Sequence, residues 1–404
     1  MEPLPYMNTV QKMNWETVDK SLKYITDWID YDVKDSSNWK ELLDIANNKG
    51  GLLLVGDAGK GKSYAINEIS KVISLKKIAP TNKAALNVNG STIHSFLRLD
   101  KQGKIKLSFL KNLKKNKVTH IAIDEISMIN KTMWAKLALL KRMIPKLIFI
   151  LVGDDKQCKP IEEEGSESVK YFDHPVMKYL TNNNRNVLKV LQRFPQELST
   201  LLENVNEINT KQFKEKNTPV NLCFFNNTRK QVNKMWNKRL KKDDNLFIKE
   251  DITIGHSQDV FIYNNLPVIA MTTKREMKDE TVKPEKKKRE KKDKEYVEKP
   301  PLFVNSETFH VVSFTDSKIT LQNERTDGIH SFEIDVKDFQ KHFCINYCST
   351  VHKSQGDTIL EDYTIYDWEN MDTELRYTAC SRSKRMGQFG FNKSVIIQPE
   401  GNTN

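Results

Sequence analysis

Short apolar runs alternate with amphipathic and polar stretches through the first half of the chain. Three of these runs, at residues 51–55, 118–123 and 147–152, have the length and composition of buried strands. Polar residues follow each run, and helix-compatible stretches lie between the runs. Alternating strand and helix signals are typical of a parallel α/β domain, whose polar loops gather at the carboxyl edge of the sheet. The pattern therefore predicts such a domain over residues 51–195.

Three further zones complete the predicted architecture. The polar, helix-prone start of the chain is expected to form an N-terminal helical segment that packs on the first α/β domain. The later runs predict a second α/β domain and a small, β-rich, barrel-like insertion. The predicted boundaries are 1–50 for the N-terminal segment, 196–250 with 345–404 for the second α/β domain, and 251–344 for the barrel.

Two stretches interrupt this organisation. Residues 97–117 are basic and predict a hairpin-like insert in the first domain, with a turn at residues 101–104. The apolar residues of this insert are expected to anchor it on the domain, and they are Ile105, Leu107, Phe109 and Leu110. Residues 274–301 form a charged, low-complexity segment, for which a solvated loop is the expected state.

Charge and cysteine usage narrow the classes of protein. The chain has 404 residues, a formal net charge of +12 and five scattered cysteines. An excess of basic residues favours a polyanionic partner. An odd number of scattered cysteines favours a protein of a reducing compartment over a secreted protein held together by disulfides. No apolar run approaches the roughly 20 residues that span a bilayer. We therefore expect a soluble intracellular protein with no membrane partner.

The segment Gly56–Ser63 has the sequence Gly-Asp-Ala-Gly-Lys-Gly-Lys-Ser and lies between a predicted strand and a predicted helix. Its glycines let backbone amides surround a phosphate, and the helix start adds a positive dipole end. Lys62 is expected to reach the β- and γ-phosphates, and the Ser63 hydroxyl is expected to bind Mg²⁺. The candidate nucleotide-binding residues of this P-loop are Gly56, Ala58, Gly59, Lys60, Gly61, Lys62, Ser63 and Tyr64.

Two adjacent acids end the next buried strand of the pattern. Asp124 and Glu125 follow the apolar run 118–123, and Asp124 lies 62 residues after Lys62. At that distance from a P-loop, Asp124 is a candidate Mg²⁺ ligand and Glu125 a candidate base for an attacking water. Gln157 follows the third buried strand and is a candidate sensor of the γ-phosphate.

Further segments resemble, in order, the motifs of superfamily 1B DNA helicases, the RecD-like, Dda-like and Pif-type enzymes. They span most of the chain between residues 51 and 385. The matching segments are Ala79–Ala85 with Gly90–Phe96 (motif Ia and its extension), Asp124–Met128 (motif II), Gly153–Pro160 (motif III), Leu191–Arg193 (motif IV), Ser349–Gly356 (motif V) and Tyr377–Arg382 (motif VI).

The resemblance implies an α/β fold with two RecA-like P-loop motor domains, an inserted 1B hairpin domain and an SH3-like barrel, domain 2B. It implies ATP and Mg²⁺ as cofactors, bound in a cleft between the motor domains. In that cleft Arg193 and Arg382 would reach the γ-phosphate, because an arginine fork stabilises transition-state charge. Gln355 and Gly356 of motif V would also contact the nucleotide.

The same resemblance implies single-stranded DNA and forked or 5′-tailed duplex DNA as partners, and 5′→3′ movement. Replication or repair proteins are further expected partners, and a monomer is compatible with the sequence. The family carries a wedge near the 1B insert and an adenine-reading glutamine before the P-loop; Gln11 is the upstream glutamine here, 45 residues before Gly56. The expected DNA contacts are Pro80, Thr81, Asn82, His94, Ser95, Phe96, Asn227, Thr350, His352 and Lys353. The segment that contains Asn227 and Asn233 resembles the asparagine-bearing start of the family's second motor domain.

Two other classes remain open at this point. One is a different nucleic-acid motor, either an RNA helicase or a translocase that does not unwind, because backbone contacts discriminate little between nucleic acids. The other is a non-motor P-loop protein such as a switch GTPase or a kinase. The paired arginines argue against that second class, as does the lack of an Asn-Lys-x-Asp tetrad for reading guanine.

Overall fold

The computed structural model describes residues 15–22, 27–99, 105–159, 171–274, 301–325 and 328–392. The chain divides into two compact units. The first contains the described residues up to Thr228 and those from Ser349 onward, and the second runs from Arg229 to Cys348.

Strands account for much of both units. In chain order they are β1 (Ile29–Tyr31), β2 (Gly51–Val55), β3 (Leu75–Ala79), β4 (Ser91–Thr92), β5 (His120–Ile123), β6 (Ile148–Gly153), β7 (Asn184–Val187), β8 (Asn221–Cys223), β9 (Leu246–Ile248), β10 (Val260–Ile262), β11 (Pro267–Ala270), β12 (Thr308–Phe314), β13 (Lys318–Arg325), β14 (Gly328–Asp335), β15 (Phe343–Ile345), β16 (Cys348–Thr350), β17 (Tyr363–Ile365) and β18 (Phe389–Phe391).

The helices of the described residues are mostly short, and none of them is long and apolar enough to cross a membrane. In chain order they are α1 (Trp15–Ser21), α2 (Trp39–Lys49), α3 (Lys62–Val72), α4 (Asn82–Asn87), α5 (Ile93–Leu97), α6 (Leu107–Lys115), α7 (Lys131–Met143), α8 (Pro175–Thr181), α9 (Gln196–Glu203), α10 (Asn226–Arg239), α11 (Val336–His342), α12 (Val351–Ser354) and α13 (Thr373–Cys380).

A parallel seven-stranded sheet, in the order β1-β7-β2-β6-β5-β3-β4, forms the centre of the first unit. The leucines of β2 are fully buried, as expected for a strand covered on both faces. Because the strands are parallel, the chain leaves β2, β5 and β6 at the same edge. The P-loop, the two acids and the motif III segment therefore share that edge, as the sequence predicted.

The N-terminal segment contributes more than helices to this unit. Trp15 and Trp28 pack against the main core, and Trp39 packs against a second cluster on the sheet. Ile29–Tyr31, within the stretch predicted to be helical, instead form the edge strand β1, which pairs in parallel with β7. Gln11 lies outside the described residues.

The insert differs from its prediction. Instead of hairpin strands, residues 107–115 form helix α6. The apolar residues Ile105, Phe109, Leu110 and Leu113 recur at helical spacing and are buried in the main core. Anchoring by Ile105, Phe109 and Leu110 is therefore confirmed, and the hairpin is corrected to a helix over these residues. The predicted turn at 101–104 lies outside the described residues, and the Leu107 side chain is not described.

A second sheet in the first unit has the order β16-β8-β17-β18, and β8, β17 and β18 are parallel. Tyr363 and Phe389 are buried in its core. The two sheets confirm the predicted α/β fold class with two RecA-like lobes. The first lobe is the part of the first unit built on the seven-stranded sheet, and the second lobe is the part built on the four-stranded sheet.

The second unit is largely antiparallel. Strands β14-β13-β12-β11-β15 form a five-stranded sheet, and β9 pairs with β10. This β-rich unit matches the runs predicted between the two parts of the second α/β domain. Its closure into a barrel stays a prediction. Of the charged segment 274–301, only its ends are described, where Lys274 forms a bridge with Phe303.

Candidate functional site

The loop after β2 has a backbone path that requires glycine at two positions. Gly59 and Gly61 have φ values of +79° and +80°. A Cβ on Gly59 would lie 2.7 Å from the Phe194 ring, and one on Gly61 would lie 2.1 Å from the Ser36 hydroxyl. The loop therefore turns directly into helix α3 at Gly61, and a glycine-rich loop that leads into a helix start is an arrangement that binds phosphate.

Lys62 lies over this loop. Its Nζ donates hydrogen bonds to the carbonyl oxygens of Gly56 at 2.5 Å and Asp57 at 3.0 Å. Two other lysines nearby form ion pairs with the Asp57 carboxylate. Lys60 Nζ lies 2.6 Å from it, and Lys156 Nζ lies 2.9 Å from it. Among the described residues, carbonyl oxygens and no carboxylate hold the ammonium group of Lys62, so no ion pair neutralises it at the mouth of the loop.

The two acids after β5 meet the P-loop as the sequence predicted. Ser63 Oγ donates to Asp124 Oδ2 at 2.9 Å, and Asp124 Oδ1 accepts the Glu125 backbone N–H at 2.9 Å. Burial raises the pKa of Asp124, while the hydrogen bonds from Glu125 and Ser63 and the charge of Lys62 oppose that rise. A hydroxyl and a carboxylate that already touch form the oxygen pair that Mg²⁺ prefers.

Glu125 has the left-handed backbone conformation, with φ of +53°. Such a conformation in a non-glycine residue is costly and is found at functional sites. It turns the carboxylate toward the other lobe, where Gln355 Nε2 lies 3.4 Å from Glu125 Oε2. Burial and the neighbouring charge of Asp124 raise the pKa of Glu125, and Lys62 and Arg382 partly oppose them.

Two glutamines from opposite lobes meet beside Glu125. Gln355 Nε2 donates to Gln157 Oε1 at 3.2 Å, and Gln157 Nε2 donates to Asp154 Oδ2 at 3.2 Å. The carbonyl oxygen of the Gln355 amide is buried without a hydrogen-bond partner among the described residues. A buried acceptor of this kind is unusual and marks a place for a ligand or a water.

The two candidate arginines occupy different environments. Arg382 is almost fully buried and donates to the backbone oxygens of Thr378 at 2.9 Å and Asp357 at 3.0 Å. Arg193 is exposed, with no hydrogen-bond partner among the described residues. Although the side chain is exposed to solvent, the protein packed around it partly desolvates the Arg193 guanidinium, and this desolvation and the like charge of Arg382 lower the pKa of Arg193, while Glu125 opposes the shift. Both positive charges therefore act on the cleft that holds Glu125.

Tyr377 is a part of the site that the sequence did not single out. Its hydroxyl accepts the backbone N–H of Ala58 at 2.8 Å and donates to Asp154 Oδ2 at 2.9 Å. Tyr377 therefore links helix α13, which contains the start of the motif VI segment, to the P-loop and to the residue that follows strand β6. In the sequence, the one sign of its role was its place in the Tyr377–Arg382 segment, which resembles motif VI. Its contacts with Ala58 and Asp154 can be seen only in the folded structure.

Other contacts also cross between the two lobes. Lys83 forms an ion pair with Asp357, and Asn87 Nδ2 donates to the Gly356 carbonyl at 2.9 Å. Gly356, with φ of +84°, adjoins Gln355 at this crossing. Tyr64, in contrast, leaves its side chain half exposed on helix α3.

The proposed DNA contacts of the first lobe lie in the loops around α4 and α5. Thr81 and Thr92 cap these helices through their hydroxyls, Thr81 toward Ala84 N at 3.1 Å and Thr92 toward Ser95 N at 3.1 Å. His94 is exposed, and Pro80, Asn82 and Ser95 are partly exposed. The Phe96 ring packs edge-on against Phe109 with centroids 5.2 Å apart, so packing occupies that ring.

The DNA-contact candidates of the second lobe differ from one another in their exposure to solvent. Thr350 is buried at the start of α12, and His352 and Lys353 are partly exposed. Burial lowers the pKa of His352, and Asp372 opposes that shift. Asn227 is exposed at the start of α10.

Asn233 lies in the same asparagine-bearing segment as Asn227 and has a different environment. It is fully buried, its Oδ1 accepts the Cys348 N–H at 2.9 Å, and its Nδ2 donates to the Cys348 carbonyl at 3.1 Å. Both ends of the amide are therefore used inside the protein, and Asn233 is a structural residue.

Parts of the chain are similar in sequence to known proteins. Residues 40–162 match the AAA_19 family, described as an AAA domain. The ATP-dependent DNA helicase PIF1 of Saccharomyces cerevisiae (strain YJM789) is 26% identical over 241 residues, which is 51% of this chain and 28% of that protein. The chain thus spans less than a third of the length of this curated relative.

Solved structures match over nearly the whole chain. Pif1 helicase from Candida albicans has a TM-score of 0.63 at 18% identity, with 87% of this chain and 93% of that chain covered. Pif1 helicase from Bacteroides, in complex with ADP-AlF3 and ssDNA, has a TM-score of 0.62 at 15% identity, covering 89% and 92%. The fold is that of these solved Pif1 helicases, and over about half of its length the chain is similar in sequence to an ATP-dependent DNA helicase PIF1.

Proposed function

We propose that this chain is an ATP-dependent DNA helicase that moves 5′→3′ on single-stranded DNA and unwinds duplex DNA. The observation that carries the proposal is the convergence of groups from two parallel sheets on one cleft. The P-loop, Asp124 and Glu125 come from the first sheet, and Gln355, Tyr377 and Arg382 come from the second. The motor domains would be residues 51–195, and 196–250 with 345–404.

ATP binding would use the glycine loop and Lys62. The amides of Gly59, Lys60 and Gly61 and the first turn of α3 would surround the phosphates, with Lys62 exchanging its carbonyl partners for phosphate oxygens. Ser63 and Asp124 offer oxygen ligands in contact with each other and fit Mg²⁺. When bound, the ion would neutralise phosphate charge and hold the β- and γ-phosphates in register.

Hydrolysis would depend on Glu125 and the two glutamines. Glu125 is the acid turned into the cleft, and as a carboxylate it would take a proton from the attacking water. Gln157 lies within hydrogen-bond reach of Gln355, whose buried carbonyl oxygen has no described partner. These amides would reorganise when a γ-phosphate or the attacking water enters.

Coupling to movement would follow from the contacts between the lobes. Arg193 and Arg382 would both act on the γ-phosphate in this cleft, and an arginine that stabilises the transferred phosphoryl is worth roughly 10³–10⁵ in turnover. Release of phosphate would remove the charge that draws the arginines together. The lobes would then separate, and Lys83, Asn87 and Tyr377 would exchange partners as they did so.

The nucleic-acid assignment is supported by the basic charge and by relatives. The Bacteroides Pif1 structure contains ssDNA, and we extend that partner to this chain. The strand would contact Pro80, Thr81, Asn82, His94 and Ser95 in one lobe and Asn227, Thr350, His352 and Lys353 in the other. Such backbone contacts give sequence-tolerant binding. Forked or 5′-tailed duplexes, and replication or repair proteins, are the proposed wider partners.

The five cysteines are all described and buried, and no disulfide joins any two of them, which supports the proposal of a reducing compartment. The function is tested by measuring ATP hydrolysis with no nucleic acid, with single-stranded DNA and with RNA of the same length. We expect strong stimulation by DNA. Stimulation by RNA alone would favour the RNA helicase alternative, and no stimulation by either would contradict the proposal.

A further inference from the structure

A basic groove lies on the first unit, beside helix α6. It has a volume of about 400 Å³. Its lining residues are Arg98, Ser108, Phe109, Lys111, Asn112 and Lys115. All of these side chains except Phe109 are exposed. The groove therefore has a buried aromatic floor and walls of cations and neutral hydrogen-bonding groups.

Helix α6 explains this distribution. Phe109, Leu110 and Leu113 bury one face in the core, so the opposite face carries Ser108, Lys111, Asn112 and Lys115. Lys111 and Lys115 are four residues apart and lie side by side, a like-charge pair that destabilises an isolated helix. Residues 101–123 contain seven lysines and neither aspartate nor glutamate; the lysines are Lys101, Lys104, Lys106, Lys111, Lys114, Lys115 and Lys117.

The groove adjoins the residues to which a DNA strand was assigned above. Arg98 follows α5, which contains His94 and Ser95, and it has φ of +46° at the end of that helix. Phe109, in the floor of the groove, packs against Phe96, which belongs to α5. A strand that passes the α5 loop would therefore reach Arg98 and the basic face of α6 next.

We propose that this groove binds the phosphodiester backbone of DNA next to the α5 loop; the proposal rests on the proposed function. Phosphate is favoured over bases because the one aromatic residue of the groove is buried. Arginine, lysine, serine hydroxyl and asparagine amide are the donors that contact phosphate oxygens. Binding should be independent of sequence and strongly dependent on salt.

The test is the neutral variant Arg98→Gln/Lys111→Gln/Lys115→Gln. Its control, Lys49→Gln/Arg142→Gln/Lys146→Gln, removes the same charges next to the amino ends of β2 and β6. Affinity for a 5′-tailed duplex and for its single-stranded tail alone is measured over a range of salt. Each lost phosphate contact lowers the slope of log affinity against log salt by about 0.9 on duplex or 0.7 on single strands. We therefore expect the slope to fall by about 2 in the neutral variant and by less than about 0.5 in the control.

The two substrates identify which DNA occupies the groove. A loss confined to the tailed duplex assigns the groove to the duplex arm, and a loss on both assigns it to the tracked strand. The charge-preserving variant Arg98→Lys/Lys111→Arg/Lys115→Arg should bind like the parent.

Three results would overturn the proposal. The neutral variant could match the control on both substrates, or the charge-preserving variant could lose as much affinity as the neutral one. The neutral variant could also retain DNA binding while losing binding to polyglutamate, which would assign the groove to an acidic protein. In each case, DNA-stimulated hydrolysis by the parent would leave the proposed function standing, whereas its absence would refute that function separately.

Discussion

The proposed nucleotide cleft and the proposed DNA surface of the first unit are built in contrasting ways. In the cleft, polar groups are buried and bonded to one another across two sheets, as Tyr377 is to Ala58 and Asp154. On the DNA surface, candidates such as His94 and Asn227 are exposed and lie at helix starts or in loops. Buried, mutually bonded groups hold a single geometry, whereas exposed ones adapt to their ligand.

The difference predicts two kinds of response to substitution. A change in the cleft should alter turnover sharply at unchanged DNA affinity. A change on the DNA surface should alter affinity modestly and leave turnover at saturating DNA intact.

The largest effect is expected for Glu125→Gln. The amide keeps the size of the side chain but cannot accept the proton of the attacking water, so hydrolysis should fall by up to about 10⁴-fold. ATP should still bind, because Lys62, Ser63 and Asp124 are unchanged. Steady-state hydrolysis and fluorescent nucleotide binding measure the two properties. Glu68→Gln, on the same unit but in an ion pair with Lys71, is the control and should have normal turnover.

Turnover should also depend on pH through Glu125. Its pKa is raised by burial and by Asp124, so the carboxyl gains its proton at a higher pH than an ordinary glutamate. Since the ionised form is the base, hydrolysis should decline as pH falls through that raised pKa. A pH profile whose acid limb lies in the ordinary glutamate range would contradict this role of Glu125.

The next effect is expected for Arg382→Ala. If Arg382 reaches the phosphate as proposed, its loss should lower DNA-stimulated hydrolysis by about 10³-fold while DNA affinity stays near the parent value. Arg382 also donates to the Thr378 and Asp357 carbonyls, so thermal unfolding must confirm that the variant folds. Arg385→Ala, which removes an exposed arginine three residues later, is the control. Normal hydrolysis with lost DNA binding would move Arg382 to the DNA surface.

A smaller effect is expected for Tyr377→Phe. The change deletes one hydroxyl, leaves the Ala58 amide and Asp154 without that partner, and should slow hydrolysis roughly tenfold, the equivalent of about 1–2 kcal/mol. Tyr363→Phe is a matched control, because that buried hydroxyl donates to the Ala379 carbonyl and does not contact the P-loop. Equal loss of turnover in both variants would reduce the role of Tyr377 to general packing.

The smallest effect is expected for His94→Ala. One lost contact to a phosphate should weaken DNA binding about fivefold, or roughly 1 kcal/mol. Hydrolysis at saturating DNA should not change. Fluorescence anisotropy with labelled single-stranded DNA measures the affinity, and Lys49→Ala next to the amino end of β2 is the control. A loss of turnover at saturating DNA would remove the distinction between the two regions.

The sequence predicted the cleft better than its surroundings, for a physical reason. The P-loop glycines and the Asp124–Glu125 pair are local patterns, and parallel strands bring their carboxyl ends to one edge whatever the rest of the chain does. Tyr377 contacts Ala58 only because two lobes meet, a geometry that no spacing encodes. The pairing of Asn233 with Cys348 is equally remote in sequence.

The insert shows a different source of error. Lys-Gln-Gly-Lys is a turn signal, and it favoured a hairpin over residues 97–117. The apolar residues from Ile105 to Leu113 recur at helical spacing, and burial of that face in the core stabilises helix α6. Periodicity over nine residues was therefore the better guide than a local turn.

The central claim is that ATP hydrolysis in the cleft drives strand separation. It is tested most directly by unwinding of duplexes that carry either a 5′ or a 3′ single-stranded tail, with ATP and Mg²⁺. The account predicts ATP-dependent separation of the 5′-tailed duplex, little separation of the 3′-tailed one, and none with Lys62→Ala. Failure to separate either duplex, despite DNA-stimulated hydrolysis, would contradict the claim and leave a translocase that does not unwind.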